Sequence, residues 1–136
     1  MANKRVVVIG GGPAGHDAAT SAARFGADVT LIERDIVGGA AHLRDCVPSK
    51  SMIATGAALS FARRIDGMGL ANVETGVDAE HLRARIQGIE QRLEQSVTQL
   101  LTSQGVKIYR APAEFSDPTK YAQIQPTALS NSQQTQ

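Results

Sequence analysis

The stretch VVVIGGGPAG, Val6 to Gly15, decides the fold when it is read together with Glu33. Its first four residues are apolar and three are valine, which predicts a buried parallel strand. Gly10, Gly12 and Gly15 then supply a G-x-G-x-x-G pattern. Gly10 permits a tight turn out of the strand. Gly12 has no side chain, so a pyrophosphate can approach the backbone. Gly15 lets the following helix sit close to the sheet. The helix start offers free N–H groups and the positive end of a dipole to phosphate oxygens. Gly10, Gly12, Pro13, Ala14 and Gly15 are therefore the candidate phosphate-binding residues. The glycine pattern alone is a weak signal, and its context gives it weight. A helix pattern runs from Pro13 to Phe25, Gly26 can end it, and a second strand runs from Ala27 to Ile32. Glu33 follows at the offset where an acid accepts hydrogen bonds from a ribose. The expected class is α/β: a Rossmann-like domain with a parallel sheet and packed helices. The plain alternative is a glycine-rich turn in an unrelated α/β domain.

A second stretch, GGAAHLRDCVPSK from Gly38 to Lys50, narrows the reading. With both motifs at this spacing, the chain resembles the N-terminal FAD-binding region of the flavoprotein disulfide reductases, the dihydrolipoamide dehydrogenase-like pyridine nucleotide-disulfide oxidoreductases. That family carries G-G-x-C-x-x-x-x-C-x-P-S-K after its ribose-binding acid. Gly38, Gly39, Cys46, Pro48, Ser49 and Lys50 match it, and the resemblance extends from Lys4 to about Phe115. It implies bound FAD, with Glu33 on the FAD ribose and Gly38, Gly39, Ala40, Lys50 and Ala113 against the cofactor. It also implies NAD(P)H as electron donor through a separate domain. In the family the lysine corresponding to Lys50 sits near flavin N5, so Lys50 and, less firmly, Cys46 are the candidate catalytic residues.

The departure from that pattern is informative. The first cysteine of the family's redox pair would stand at residue 41, which is Ala41, and Cys46 is the chain's single cysteine. Dithiol exchange needs an attacking and a resolving sulfur. An internal disulfide relay is therefore excluded at this site. Direct transfer from reduced flavin to a small acceptor such as a quinone remains. Ala41 with a retained Cys-Val-Pro-Ser-Lys resembles the subgroup of NAD(P)H:quinone reductases. Cys46 itself is expected to be a small apolar filler beside the cofactor.

Length and composition bound these expectations. The chain has 136 residues, enough for one domain with a core. A formal net charge of +1 implies no steering of nucleic acid. No apolar run approaches the roughly 20 residues of a membrane span. Met1 to Arg5 leads straight into a strand with no signal-peptide pattern. One cysteine suits a reducing compartment, so a cytoplasmic location is expected. No cluster of histidine, cysteine and carboxylate has metal-ligand spacing.

Organisation follows from periodicity. The first strand is expected over Arg5 to Ile9, and Ala14, Ala18, Ala19, Ala22 and Ala23 give the first helix a small-residue face. A loop should carry the glycine pair through Cys46. Pro48 should open a second helix running to about Ile65, and a glycine-rich loop should span Asp66 to Gly76. Asp78 is a plausible N-cap for a long helix. Leu82, Ile86, Ile89, Leu93, Val97, Leu100 and Leu101 recur at three- and four-residue steps there, a stripe expected to pack on the sheet. Gly105 should end it, with a third strand over Val106 to Tyr109. Phe115 should end a short strand, Asp117 to Lys120 should turn, and Tyr121 to Gln125 should return. His42 and Arg44 are candidates to line the flavin pocket; His16 reads as a partly exposed helix residue, with a phosphate contact as its alternative, and His81 as an exposed one.

The expected division is a partial FAD-binding domain over 1–127 and a polar, disordered tail over 128–136. The family implies further segments: a strand completing the flavin site, a second glycine motif for NAD(P)H, and a dimerisation domain giving a homodimer. The chain thus reads as the N-terminal part of an NAD(P)H oxidoreductase, inactive by itself, with Val6 to Ile9 as an exposed sheet edge. A non-catalytic nucleotide-binding remnant and a dihydrolipoamide dehydrogenase relative are the alternatives.

Overall fold

A computed structural model describes residues 4–65, 68–69 and 75–113. The expected strand at Phe115, the turn at Asp117 to Lys120, the return through Gln125, the tail and part of the 66–76 loop lie outside these residues. The element order is β1 (Arg5–Ile9), α1 (Pro13–Arg24), β2 (Asp28–Glu33), a π-helical segment (Ala41–Cys46), α2 (Val47–Ala62), α3 (Ala79–Ser103) and β3 (Lys107–Arg110). The strands form a parallel sheet in the order β1-β2-β3. Val8 faces Leu31 and Ile9 faces Ile32 in the first pair. Ile32 faces Tyr109 and Glu33 faces Arg110 in the second.

The core sits between β2, α1 and the end of α3. Ala19, Val29, Leu31, Val37, Leu101 and Val106 form one buried cluster, and Val6, Val8, Ala22, Ala23 and Val97 pack against it. Small residues on α1 let the helix approach the sheet, but only part of the expected alanine face does so. Ala19 is buried, whereas Ala14 and Ala18 are exposed. The long apolar stripe of α3 packs unevenly in the same way. Leu101 is fully buried, and Leu100 points outward at 46% exposure.

Two helices end by the same device. Gly26 and Gly105 have positive φ, at 80° and 81°. At each, the glycine N–H donates to the carbonyl three residues back, Ala23 O or Thr102 O at 2.9 Å, and the next N–H closes a six-residue loop: Ala27 to Ala22 O at 3.1 Å and Val106 to Leu101 O at 3.1 Å. This is the Schellman arrangement. It satisfies the last carbonyls and feeds α1 into β2 and α3 into β3. The other end of α3 is capped as expected, with Asp78 accepting from the N–H groups of Glu80 and His81.

Three expectations are corrected. The segment from Ala41 to Cys46 is not a loop: it is π-helical and runs directly into α2, which starts at Val47 and ends at Ala62 rather than Ile65. Periodicity could not reveal this, since six residues hold too few apolar positions to distinguish a π turn from a loop. Strand β1 is not buried on both faces. Val6 and Val8 meet the core, while Val7 and Ile9 on the other face are 46% and 44% exposed. Among the described residues β1 pairs only with β2, so it is the edge. Finally, α1 stops at Arg24 and leaves Phe25 exposed, and β2 and β3 each run one residue later than expected.

Candidate functional site

The C-terminal end of the sheet carries the candidate site, where ligands lie in open parallel α/β sheets. Gly10 leaves β1 with φ 100°, a conformation that a side chain would strain. Its N–H donates to Ile32 O at 2.8 Å, which ties the turn to the end of β2. Gly15 is required by space. A Cβ there would lie 1.8 Å from Gly10 O. Gly12 differs, because a Cβ on it would meet nothing closer than Gly39 Cα at 3.9 Å. That position faces open room rather than protein.

Helix α1 begins at this turn with Pro13 in its first turn, no side-chain cap and no acidic residue. Its first N–H groups therefore lack intrahelical acceptors, and the positive dipole end is uncompensated. This donor set suits a diphosphate.

Glu33 stands at the end of β2, beside the turn. Its Oε2 accepts from Gly11 N at 2.6 Å and its Oε1 accepts from Asp35 N at 2.7 Å. Both carboxylate oxygens are thus held by backbone, and each keeps a lone pair for a further donor. The pair Gly38–Gly39 closes the site from the other side. Gly38 N donates to Gly11 O at 2.8 Å. A Cβ on Gly39 would lie 2.8 Å from Gly12 Cα, so the two glycine motifs touch backbone to backbone.

A cleft of about 490 Å³ opens between these segments. Its lining includes Ile9, Gly10, Glu33, Arg34, Asp35, Ala40, Pro112 and Ala113. The volume falls in the range of small-molecule and cofactor sites. The structure therefore brings together Gly10, Glu33, Ala40 and Ala113 in one cleft, with Gly12, Pro13, Ala14 and Gly15 at the adjoining helix start. It does not bring Lys50 or Cys46 into that cleft. Both are exposed, Cys46 at the end of the π-helical segment and Lys50 in the first turn of α2. His42 is exposed outside the cleft, and Arg44 is held in ion pairs with Asp35 at 2.5 Å and Glu90 at 3.7 Å.

His16 is half-buried at the start of α1, with Nδ1 3.3 Å from Asp17 Oδ1 and Nε2 enclosed without a partner among the described residues. His81 is exposed and pairs with Asp78. The sequence reading missed Arg34 and Asp35 as cleft residues, and also the supports behind them. Glu94 Oε1 accepts from Val37 N at 3.2 Å and from Arg110 at 2.7 Å, and Arg110 donates to Asp35 O at 3.2 Å. Nothing local marks these, since the partners lie 57 and 75 residues apart along the chain. Among the described residues no group of three metal-ligating side chains occurs, and no helix is long and apolar enough to cross a membrane.

Comparison with known proteins matches residues 4–129 to the family described as pyridine nucleotide-disulphide oxidoreductase. Dihydrolipoyl dehydrogenase 2 of Haloarcula marismortui is 37% identical over 112 residues, 82% of this chain and 24% of that protein. An NAD(P)H dehydrogenase (quinone) of Mycobacterium tuberculosis is 35% identical over 120 residues, 85% of this chain and 24% of that protein. The crystal structure of LpdA from Mycobacterium tuberculosis superposes with a TM-score of 0.73 at 34% identity, over 85% of this chain and 25% of that one. The chain spans about a quarter of the length of the curated relatives it matches.

Proposed function

Because the chain belongs to the pyridine nucleotide-disulphide oxidoreductase family, we propose that it builds the N-terminal wall of an FAD site in an NAD(P)H oxidoreductase that reduces a quinone or similar small acceptor. In this reading residues 1–127 are a partial FAD-binding domain. The cradle fits the cofactor on its own chemistry: free helix-start amides for the diphosphate, room at Gly12 where a Cβ would meet nothing closer than 3.9 Å, and a carboxylate fixed beside the turn. FAD, when bound, supplies two-electron chemistry between a nicotinamide and the acceptor.

The residues of this chain bind and orient. Gly10, Gly12, Ala14 and Gly15 receive the pyrophosphate through backbone and dipole, and Pro13 fixes the helix start without an N–H of its own. Glu33 accepts from ribose hydroxyls with the lone pairs that Gly11 and Asp35 leave free. Gly38, Gly39, Ala40 and Ala113 form small-residue walls. Lys50 provides a cation toward the flavin and Cys46 lies one turn before it, both by family resemblance.

Ala41 carries the choice of acceptor. A π turn closes its hydrogen bonds over five residues, so positions 41 and 46 stack on adjacent turns. A thiol pair would sit there, and this chain has only one sulfur of the two. Direct transfer from flavin follows. The related quinone dehydrogenase of Mycobacterium tuberculosis supports this reading, whereas the dihydrolipoyl dehydrogenases favour lipoamide. The family further implies a homodimer for the whole protein.

The test is a substrate panel on the whole protein loaded with FAD. NADH or NADPH oxidation with a benzoquinone, and none with lipoamide or glutathione disulfide, is the expected result. Robust dihydrolipoamide turnover overturns the reading.

A further inference from the structure

We infer that Glu94 and Arg110 are positioning residues for Glu33, acting through the segment 35–37 to hold the ribose-binding carboxylate in its receiving orientation. The inference rests on the FAD reading above and assigns new residues to that site.

Residues 34–36 leave the end of β2 and form one side of the cleft, and Val37 follows them into the core. The backbone N–H of Asp35 orients Glu33 Oε1 at 2.7 Å. Two side-chain hydrogen bonds hold its backbone in place, and a third joins the two residues that make them. Glu94 on α3 accepts from Val37 N, and Arg110 on β3 donates to Asp35 O and to the same Glu94 oxygen. Val37 is fully buried. An N–H at such a position needs an acceptor, and the Glu94 carboxylate is the one that the structure supplies. Arg110 is also in register with Glu33 itself across the sheet.

An exposed ion pair alone contributes little. Glu94 is different in being only 22% exposed and in bonding a buried amide as well as a cation. Removing it leaves the Val37 N–H without its acceptor and Arg110 with only its bond to Asp35 O. Segment 35–37 then loses its direct hydrogen bond to α3 and keeps only the Arg44 bridge from Asp35 to Glu90, so the Asp35 N–H that fixes Glu33 is held less firmly. Glu33 keeps its bond to Gly11 but loses the second constraint, so ordering the carboxylate is shifted onto ligand binding.

The experiment measures FAD and ADP affinity of the apo protein by flavin fluorescence and by competition, beside the melting temperature, for E94A, E94Q, E33A and E33A/E94A. E94A should weaken FAD and ADP by about tenfold, the effect of one buried donor left unpaired. E94Q keeps an acceptor for Val37 N and should recover most of that loss. In the E33A background, adding E94A should change affinity by less than about twofold, because the effect passes through the carboxylate. Equal losses with and without Glu33 overturn the inference, and so does a lowered melting temperature with unchanged affinity. An unsubstituted protein that binds neither FAD nor ADP overturns the functional reading and this one together. Binding without the Glu33 dependence overturns this one alone.

Discussion

Replacing Gly15 by Ala and Gly12 by Ala separates two uses of glycine that look identical in the motif. At Gly15 the added carbon would lie 1.8 Å from Gly10 O, and real Cβ contacts stay above 3.0 Å. The turn or the helix start must therefore move by about 1 Å. The neighbour is backbone, so no rotamer change relieves the clash. Overpacking of this kind costs about 1–3 kcal/mol, which exceeds the roughly 1 kcal/mol that Ala gains over Gly in a helix. At about 4 °C or more per kcal/mol for a domain of this size, G15A should melt several degrees lower. It should also bind FAD weakly, because the displaced amides no longer converge on the diphosphate. At Gly12 the added carbon finds its nearest atom at 3.9 Å, an ordinary contact, and φ is −70°, which any residue adopts. G12A should therefore melt within about 2 °C of the parent while losing most FAD affinity, since the carbon occupies ligand space. The assay pairs thermal melts of apo protein with FAD titration. Equal melting losses in both variants would refute the reasoning, as would a G12A protein with parental affinity.

Other outcomes follow from the same geometry. Cofactor released on denaturation should be FAD rather than FMN by chromatography, and E33A should weaken binding by roughly 1–3 kcal/mol through a lost charge-assisted hydrogen bond. A41C should form a disulfide with Cys46 under mild oxidation, measurable by thiol titration, provided their Cα atoms lie within about 7 Å. The His81 side chain, then the amides of His81 and Glu80, hold the Asp78 carboxyl below the usual carboxylate range. That stabilisation is present above the unfolded pKa and lost as pH falls through the folded one, so D78A should lower the melting temperature at pH 7 and differ little in strong acid. The 136-residue chain alone should oxidise neither NADH nor NADPH with a quinone, because its sequence holds a single dinucleotide-binding glycine motif. Nicotinamide and flavin must be held at about 3–3.5 Å to react, and turnover near that of a full-length relative would show that one motif is enough.

What the sequence makes legible here is what is encoded locally. The strand, turn and helix of Arg5 to Arg24 follow from four apolar residues, three glycines and a proline, and β1 begins and ends where the pattern places it. Asp78 and Gly105 mark the ends of α3 for reasons confined to a few residues, namely free amides at one end and a left-handed residue at the other. Less legible is Ala41 to Cys46. Leu43 is buried there and its five neighbours are not, which gives no period to read. The composition of β1 misleads in another way. An apolar run signals two covered faces, yet the described residues cover only the Val6 and Val8 face.

The glycine motif names the candidate ligand-facing residues but not the forces that aim them. Glu33 could be picked from its spacing alone, whereas its orientation comes from Gly11 and Asp35, and the segment from Asp35 to Val37 is held by Arg110 of β3 and Glu94 of α3. Two segments far apart in the chain therefore finish a site that looks complete within its first 50 residues. The consequence is a physical limit on the motif as a predictor. A chain could keep Gly10, Gly12, Gly15 and Glu33 and still bind poorly if α3 lost Glu94, because a carboxylate that must be ordered on binding gives up part of its affinity to that ordering. The reverse substitution does not hold: with Glu33 gone, an intact Glu94–Arg110 pair supports a segment that has nothing to aim.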